Sequence, residues 1–176
     1  MNFLETALEG VFEVVPSSST DHRGDFVKYF DASAFEARGL SSAFHQGARA
    51  ANRRRGTLRG LHYQETSYFE VKLVRCVRGA IFDVLVDMRP GSRTCGDWQS
   101  FELASTKSNA LYIPSGVAHG YQTYEDETVL EYLISGEYRP DMQRGIRWNS
   151  ELLGIAWPLE VTMISARDEG LPEFSP

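Results

Sequence analysis

The fold is decided by the segment AIFDVLVDM, residues 80–88. It is apolar at almost every position, and its β-branched and aromatic residues favour a strand. A strand that is apolar on both sides must be covered on both faces. Such a strand is typical of the centre of a jelly roll, although a second subunit could also supply one of the two covers.

Short β-like segments recur on both sides of this strand, separated by turns that contain Gly and Pro. The pattern predicts a turn-rich stretch at residues 17–24 and strands at residues 12–15, 26–30, 73–77, 98–103, 111–113, 121–124 and 128–135. One short helix is expected at 31–38, because Asp31 can cap its start and Gly39 can end it. Many short strands with few helices predict an all-β jelly roll whose mouth can hold a small ligand.

The size and charge of the chain limit the classes of partner that we expect. Its 176 residues fit one domain, 1–176, and its net charge of −6 argues against a broad electrostatic hold on nucleic acid or on an anionic membrane. No apolar run approaches the about 20 residues that span a bilayer, and the first residues lack a basic segment, so we expect a cytoplasmic protein. Cys76 and Cys95 are expected to be reduced, partly buried thiols.

Five groups of motifs stand in a fixed order along most of the chain. They are RGLHYQ (59–64), KLVR (72–75) with FDV (82–84), IPSGVAHG (113–120), IRW (146–148) with GIAWP (154–158), and ISARD (164–168). Together they resemble the dTDP-4-dehydrorhamnose 3,5-epimerase family over about residues 12–168. The resemblance implies a cupin-type jelly roll, a homodimer, no metal or organic cofactor, and epimerisation at C3 and C5 of a nucleotide-linked 4-keto-6-deoxy hexose.

Four residues match catalytic positions of that family. His62 matches the base, and His is the side chain suited to proton transfer near neutral pH. Asp168 matches the carboxylate that orients His62 and stabilises its charged form. Lys72 matches the donor to the enolate oxygen. Tyr132 matches the acid on the opposite face of the sugar, where a phenol keeps its proton at neutral pH until an enolate takes it.

The resemblance also implies substrate-binding residues. Arg23 and Arg59 match positions that contact the nucleotide, where the guanidinium fork suits phosphate oxygens. Gln46 matches a residue near the base and sugar, Tyr138 keeps an aromatic ring near the ligand mouth, and Arg167 lies in the last motif. The expected partner is therefore a nucleoside-diphosphate sugar.

His119 matches a further retained position, and Asp83 is expected to lie on a neighbouring strand and to pair with it. We expect a supporting role, since a buried His–Asp hydrogen bond also stiffens a barrel. His62 and Tyr132 would be an ordinary structural histidine and a core tyrosine if their motifs were ignored. The run Arg53-Arg54-Arg55 is either a solvated loop or a phosphate-contacting patch.

Three alternatives stay open in the sequence. A metal cupin would need closely spaced ligands, and the four histidines are isolated with no His-x-His among them. Departures from the family at Lys28, Ala48 and Glu137 leave the nucleotide base open, with CDP as one possibility, and single-carbon epimerisation is open too. A non-catalytic sugar-nucleotide binding cupin is disfavoured, because binding alone needs no acid opposite a base.

Overall fold

The computed structural model describes residues 1–65, 68–137 and 139–175. Its strands are β1 Asn2–Glu5, β2 Phe12–Val15, β3 Ser17–Asp21, β4 Gly24–Lys28, β5 Gln46–Asn52, β6 Leu58–Gln64, β7 Lys72–Arg78, β8 Ala80–Asp87, β9 Trp98–Ala104, β10 Ala110–Ile113, β11 Val117–Thr123, β12 Thr128–Ile134 and β13 Gln143–Gly145. The helices are α1 Ala32–Glu36, α2 Ala166–Glu169 and a 3-10 turn at Pro140–Met142.

Two antiparallel sheets face each other across the core. One has the strand order β1-β2-β10-β7-β12-β5 and the other has the order β13-β6-β11-β8-β9, while β3 and β4 form a separate hairpin. Residues from both sheets share one buried apolar cluster, in which Val74 and Leu130 meet Ile81, Leu85 and others. The predicted all-β jelly roll with a few short helices is confirmed.

Strand β8 is covered on both faces by its own chain. Ile81 and Leu85 point into the core between the sheets. Val84 and Val86 point the other way and pack in a second cluster with Leu153 and other residues of the C-terminal segment, including Phe174 and Trp157. The cover on the outer face of β8 is therefore internal, and no second subunit is needed there.

The expected helix lies where its signals place it. α1 is capped by Asp31, whose side chain accepts a hydrogen bond from the backbone N–H of Ala34. Gly39 has a φ of +70° after the helix, a conformation that a glycine adopts without strain. Phe35 buries the inner side of α1 against aromatic rings that include Phe3 and Tyr112.

Several boundaries differ from the sequence pattern. The stretch 17–24 is not a loop, because β3 takes most of it and pairs with β4 in register Ser17↔Lys28. β11 begins at Val117 rather than at residue 121, since its start pairs with Asp87 of β8. Strands β1, β5, β6 and β13 were not expected. Glycine and alanine residues weaken the strand pattern of β5, and Gly60 weakens that of β6, so strand pairing overrides weak local propensity there. Cys76 is buried as expected, whereas Cys95 is exposed.

Asp87, at the end of β8, is fully buried and organises the following loop. Its carboxylate accepts hydrogen bonds from Arg89 Nε at 2.8 Å, Ser92 Oγ at 2.5 Å and Thr94 Oγ1 at 2.6 Å. Burial raises the pKa of this carboxyl, but the bonds from these three residues outweigh it and bring the pKa to about 2. The charged form is therefore the one that the fold stabilises.

We expect Asp87→Asn to lower the free energy of unfolding at pH 7 by about 2 kcal/mol, the linkage value of a pKa shift of this size. Since the folded pKa lies below the ordinary aspartate value of 3.8, the contribution of Asp87 is complete above about pH 4 and is lost as the pH falls towards 2. Denaturant unfolding of both proteins between pH 2 and 7 measures this, with the exposed Glu151→Gln as a control. A pH-independent difference would contradict the prediction.

Candidate active site

A cavity of about 440 Å³ opens between the two sheets. His62 on β6 and His119 on β11 line it from the five-stranded sheet. Lys72 on β7 and Tyr132 on β12 line it from the six-stranded sheet. The cavity therefore has an imidazole wall and a wall that carries an ammonium group and a phenol.

His62 is held from behind by Asp168. Its Nε2 lies 2.8 Å from Asp168 Oδ1, although the two residues are 106 positions apart in the chain. Asp168 is carried by α2, where the Ser165 side chain caps its backbone N–H at 3.0 Å. Its second oxygen accepts from the N–H of Gly60 at 3.1 Å. Because Asp168 occupies Nε2 of His62, Nδ1 is the ring nitrogen that is available to a ligand.

The charge state of Asp168 follows from these contacts. Burial alone would raise the pKa of its carboxyl, but the hydrogen bond and the charge of His62, together with the Gly60 N–H and the Ser165 hydroxyl, hold the pKa below its usual value. Asp168 is therefore a carboxylate at neutral pH. A carboxylate in this position fixes the orientation of the imidazole and favours its protonated form.

Gly60 makes this arrangement possible. It has a φ of +113°, and a Cβ at this position would lie 2.6 Å from the Cα of Gly120 and 2.7 Å from the carbonyl oxygen of His119. Strands β6 and β11 therefore approach too closely here for any side chain. The RG in RGLHYQ thus places His62 beside His119, its cross-strand partner.

Tyr132 faces the histidines from the opposite sheet. It pairs across strands with Ala48 of β5 and Val74 of β7. Burial raises the pKa of its phenol well above the usual value, and the nearby Tyr121 and Asp83 raise it further, while Arg59 acts in the other direction. Tyr132 therefore keeps its proton at neutral pH, as a group that is to donate one must.

The pairing expected between His119 and Asp83 is confirmed. His119 Nε2 lies 2.7 Å from Asp83 Oδ2, and the Asp83 side chain is fully buried. Burial raises the pKa of the Asp83 carboxyl, against the opposing effect of His119. The His119 ring stands 6.0 Å from that of Tyr132 and 6.1 Å from that of Tyr121, so it contacts both phenols as well as the buried acid.

Lys72 has a partner that sequence reasoning missed. Its Nζ lies 2.7 Å from Glu70 Oε1, and the two side chains are only 16% and 7% exposed. Glu70 also lines the cavity. The signal was its spacing of two residues from Lys72, which places both side chains on the same face of an extended chain. The pair fixes the ammonium group at the cavity wall.

Of the remaining expected residues, Arg59 and Arg167 line the cavity and Arg23 and Gln46 are not among its lining residues. The Arg23 side chain is 79% exposed at the tip of the β3–β4 hairpin, bonded to Asp21. Gln46 instead donates its side-chain N–H to the carbonyl of Gly136. Tyr138 lies outside the described residues.

Sequence reasoning also missed four further residues, of which only Ser165 lies in a motif, ISARD. Tyr121, Arg49, Gln143 and Ser165 line the same cavity. Within the described ranges, no cluster of three or more His, Cys, Asp or Glu side chains is arranged to hold a metal ion. In the same ranges, no helix is long and apolar enough to cross a membrane.

The sequence profile of one family, described as dTDP-4-dehydrorhamnose 3,5-epimerase, matches residues 5–176. The chain belongs to this family. An enzyme of this name from Escherichia coli is 39% identical over 173 residues, covering 97% of this chain and 93% of that one. A dTDP-4-dehydrorhamnose 3-epimerase from Streptomyces niveus is 36% identical over 170 residues, covering 96% of this chain and 82% of that one.

The fold comparison agrees with the sequence comparison. The crystal structure of the dTDP-4-dehydrorhamnose 3,5-epimerase from Bacillus anthracis, with TDP and pyrophosphate bound, superposes with a TM-score of 0.95 at 31% identity, covering 98% of this chain and 99% of that one. The predicted cupin-type jelly roll is thereby confirmed, as is the resemblance to the dTDP-4-dehydrorhamnose 3,5-epimerase family. As a member of this epimerase family, the protein is an isomerase.

Proposed function

We propose that the protein epimerises C3, C5 or both in a dTDP-linked 4-keto-6-deoxy hexose. The observation that carries the proposal is the placement of His62 and Tyr132 on opposite sheets, facing one cavity. Inversion next to a ketone needs a base on one face of the sugar and an acid on the other. The relatives named for this reaction support the same substrate class.

His62 removes the proton. Its Nδ1 accepts the hydrogen on the carbon next to the ketone, and the C–H electron pair becomes the C=C bond of an enolate while the carbonyl pair moves to oxygen. Asp168 stabilises the imidazolium that results, through the 2.8 Å bond to Nε2.

Lys72 faces the charge that develops on the enolate oxygen. Its ammonium group lines the cavity and is kept in place by Glu70, so that little reorganisation is needed during the reaction. Tyr132 then gives its proton to the carbon from the opposite side. The enolate pair forms the new C–H bond, the ketone is restored, and the Tyr132 oxygen keeps the electrons of its O–H bond.

A binding module without catalysis accounts less well for this cavity. Recognition of a sugar needs neither an imidazole backed by a carboxylate nor a buried phenol opposite it. The number of carbons inverted depends on how the sugar lies between His62 and Tyr132. Relatives named as 3,5-epimerase and as 3-epimerase both match the chain, so the proposal covers one carbon or both.

His62→Ala tests the base. We expect deuterium uptake from heavy water into the sugar, followed by NMR, to fall by about a thousandfold, the usual loss on removing a general base. Binding of dTDP should remain close to that of the wild type, because the variant keeps Arg59 and Arg167. The exposed His45→Ala is the matched control and should exchange normally. Uptake that persists in His62→Ala would remove His62 from this role.

The nucleotide is held by positive charge at the cavity. Arg59 and Arg167 line it, and both are exposed, so their guanidinium groups can reach a diphosphate. The Bacillus anthracis relative binds TDP. Ala48 offers a methyl group where the family commonly has Asn, so recognition of the base must come from other residues.

We expect dTDP to raise the melting temperature more than CDP, UDP or GDP at equal concentration, because a ligand that binds only the folded state stabilises it more the tighter it binds. Thermal unfolding with the four nucleotides measures this. The thymine-free CDP is the decisive comparison. A larger shift with CDP would overturn the choice of thymidine while leaving the epimerase chemistry in place.

A homodimer is part of the proposal. β5 is an edge strand, paired only with β12. The β3–β4 hairpin forms a sheet of its own and exposes 71% of Phe26 to solvent. Arg23 lies at its tip, away from the lining of its own chain's cavity, although the family resemblance assigns it to the nucleotide. A second copy would cover Phe26 and receive Arg23.

Sedimentation velocity tests the dimer. The wild type should sediment as twice its 19.8 kDa chain mass, and Phe26→Ser should shift the protein towards the monomer because it removes exposed apolar area from the interface. Leu152→Ser, which removes another exposed apolar side chain at 72% exposure, should leave the dimer intact. A wild-type monomer at micromolar concentration would contradict the proposal.

Cytoplasmic location and a single domain over residues 1–176 stay predictions.

A further inference from the structure

Tyr121 is a buried phenol beside the proposed acid. It lies on β11, is only 2% exposed and lines the same cavity as Tyr132. Its hydroxyl donates to Asn52 Oδ1 at 3.1 Å. The Tyr121 and Tyr132 rings stand 6.1 Å and 6.0 Å from the same His119 ring, and each phenol affects the pKa of the other. The proposed function leaves Tyr121 without a role.

Asn52 is held so that its oxygen faces the phenol. Its Nδ2 donates to the carbonyl of Thr128 at 3.2 Å, which fixes the orientation of the amide. Its Oδ1 accepts from Tyr121 and also from Arg59 Nε at 2.9 Å. Because this oxygen has two donors, it stays hydrogen-bonded when Tyr121 turns away. The Tyr121 hydroxyl is therefore free to change its acceptor at little cost.

We propose that Tyr121 is a positioning residue that turns its hydroxyl from Asn52 to the Tyr132 oxygen when Tyr132 has given its proton to the sugar. The proposal rests on the proposed function, since it concerns the step in which Tyr132 acts as the acid. No further bond is made or broken: the Tyr132 proton passes to carbon, its O–H electron pair stays on oxygen, and Tyr121 keeps its own proton while donating a hydrogen bond.

The surroundings of Tyr132 explain why such a donor is needed. Burial opposes a negative charge on this phenol, and Asp83 adds to the opposition. The positive charge of Arg59 favours the ionised form of both phenols, and its Nε donates to the same Asn52 oxygen that accepts from Tyr121. A hydrogen bond to an ionised oxygen is stronger than one to a neutral oxygen. Tyr121 thus contributes more after proton transfer than before it, which is the condition for accelerating the step.

Tyr121→Phe tests the proposal, because it keeps the ring and removes only the hydroxyl. We expect kcat for the epimerised product to fall about tenfold, the value of one charge-assisted hydrogen bond, with KM within about twofold of the wild type. Loss of the substrate proton to His62, followed by solvent exchange, should slow less than product formation. Tyr112→Phe is the matched control: its hydroxyl accepts from the Ser41 N–H at 3.0 Å, outside the cavity, and its loss should leave kcat unchanged.

A double-mutant cycle separates this role from a general effect on the fold. In a Tyr132→Phe background no tyrosinate forms, so adding Tyr121→Phe should slow the reaction no further. An unchanged kcat in Tyr121→Phe, or a tenfold loss that persists in the Tyr132→Phe background, would overturn the inference. A wild-type protein that exchanges no substrate proton would instead refute the proposed function, so the two failures are distinguishable.

Discussion

The hydrogen bond between His62 and Asp168 is the contact on which the rest of the site depends. It joins a strand of the five-stranded sheet to a four-residue helix near the other end of the chain. Two contacts fix Asp168: the backbone N–H of Gly60 donates to its carboxylate, and the Ser165 side chain caps the helix that carries it. The imidazole therefore meets the cavity in one orientation, with Nδ1 towards the ligand.

The jelly roll supplies what a single sheet could not. Side chains on one sheet reach a ligand from one side only, whereas the facing sheets here place His62 and Tyr132 on opposite walls of one cavity. Behind each reacting group stands a buried partner: Asp168 behind His62, Glu70 behind Lys72 and Tyr121 behind Tyr132. Reactive groups that are already positioned lose little free energy to reorganisation.

Much of the fold and of the site could be predicted from the sequence, and the parts that could not be predicted have physical causes. Apolar runs predict β8 and β12, and the catalytic candidates lie in motifs. β5 and β6 lack such runs, because Gly47 and Gly60 weaken the strand pattern. Small residues are required there by close strand approach or by an open cavity. Glu70 could have been found from its spacing of two residues from Lys72, whereas Tyr121 meets Asn52 across 69 positions of the chain, so no local spacing reveals that partner. Arg23 matches a nucleotide-contacting position, yet its own chain places it far from the cavity lining.

The C-terminal segment has two duties that cannot be separated. Leu153, Trp157 and Phe174 shield the outer face of β8, and the stretch between them carries Asp168 to His62. Proteolytic loss of this tail would expose the outer face of β8 and would remove Asp168 from His62 in one event. A cut at this end is therefore expected to unfold the barrel rather than to leave an intact but inactive scaffold.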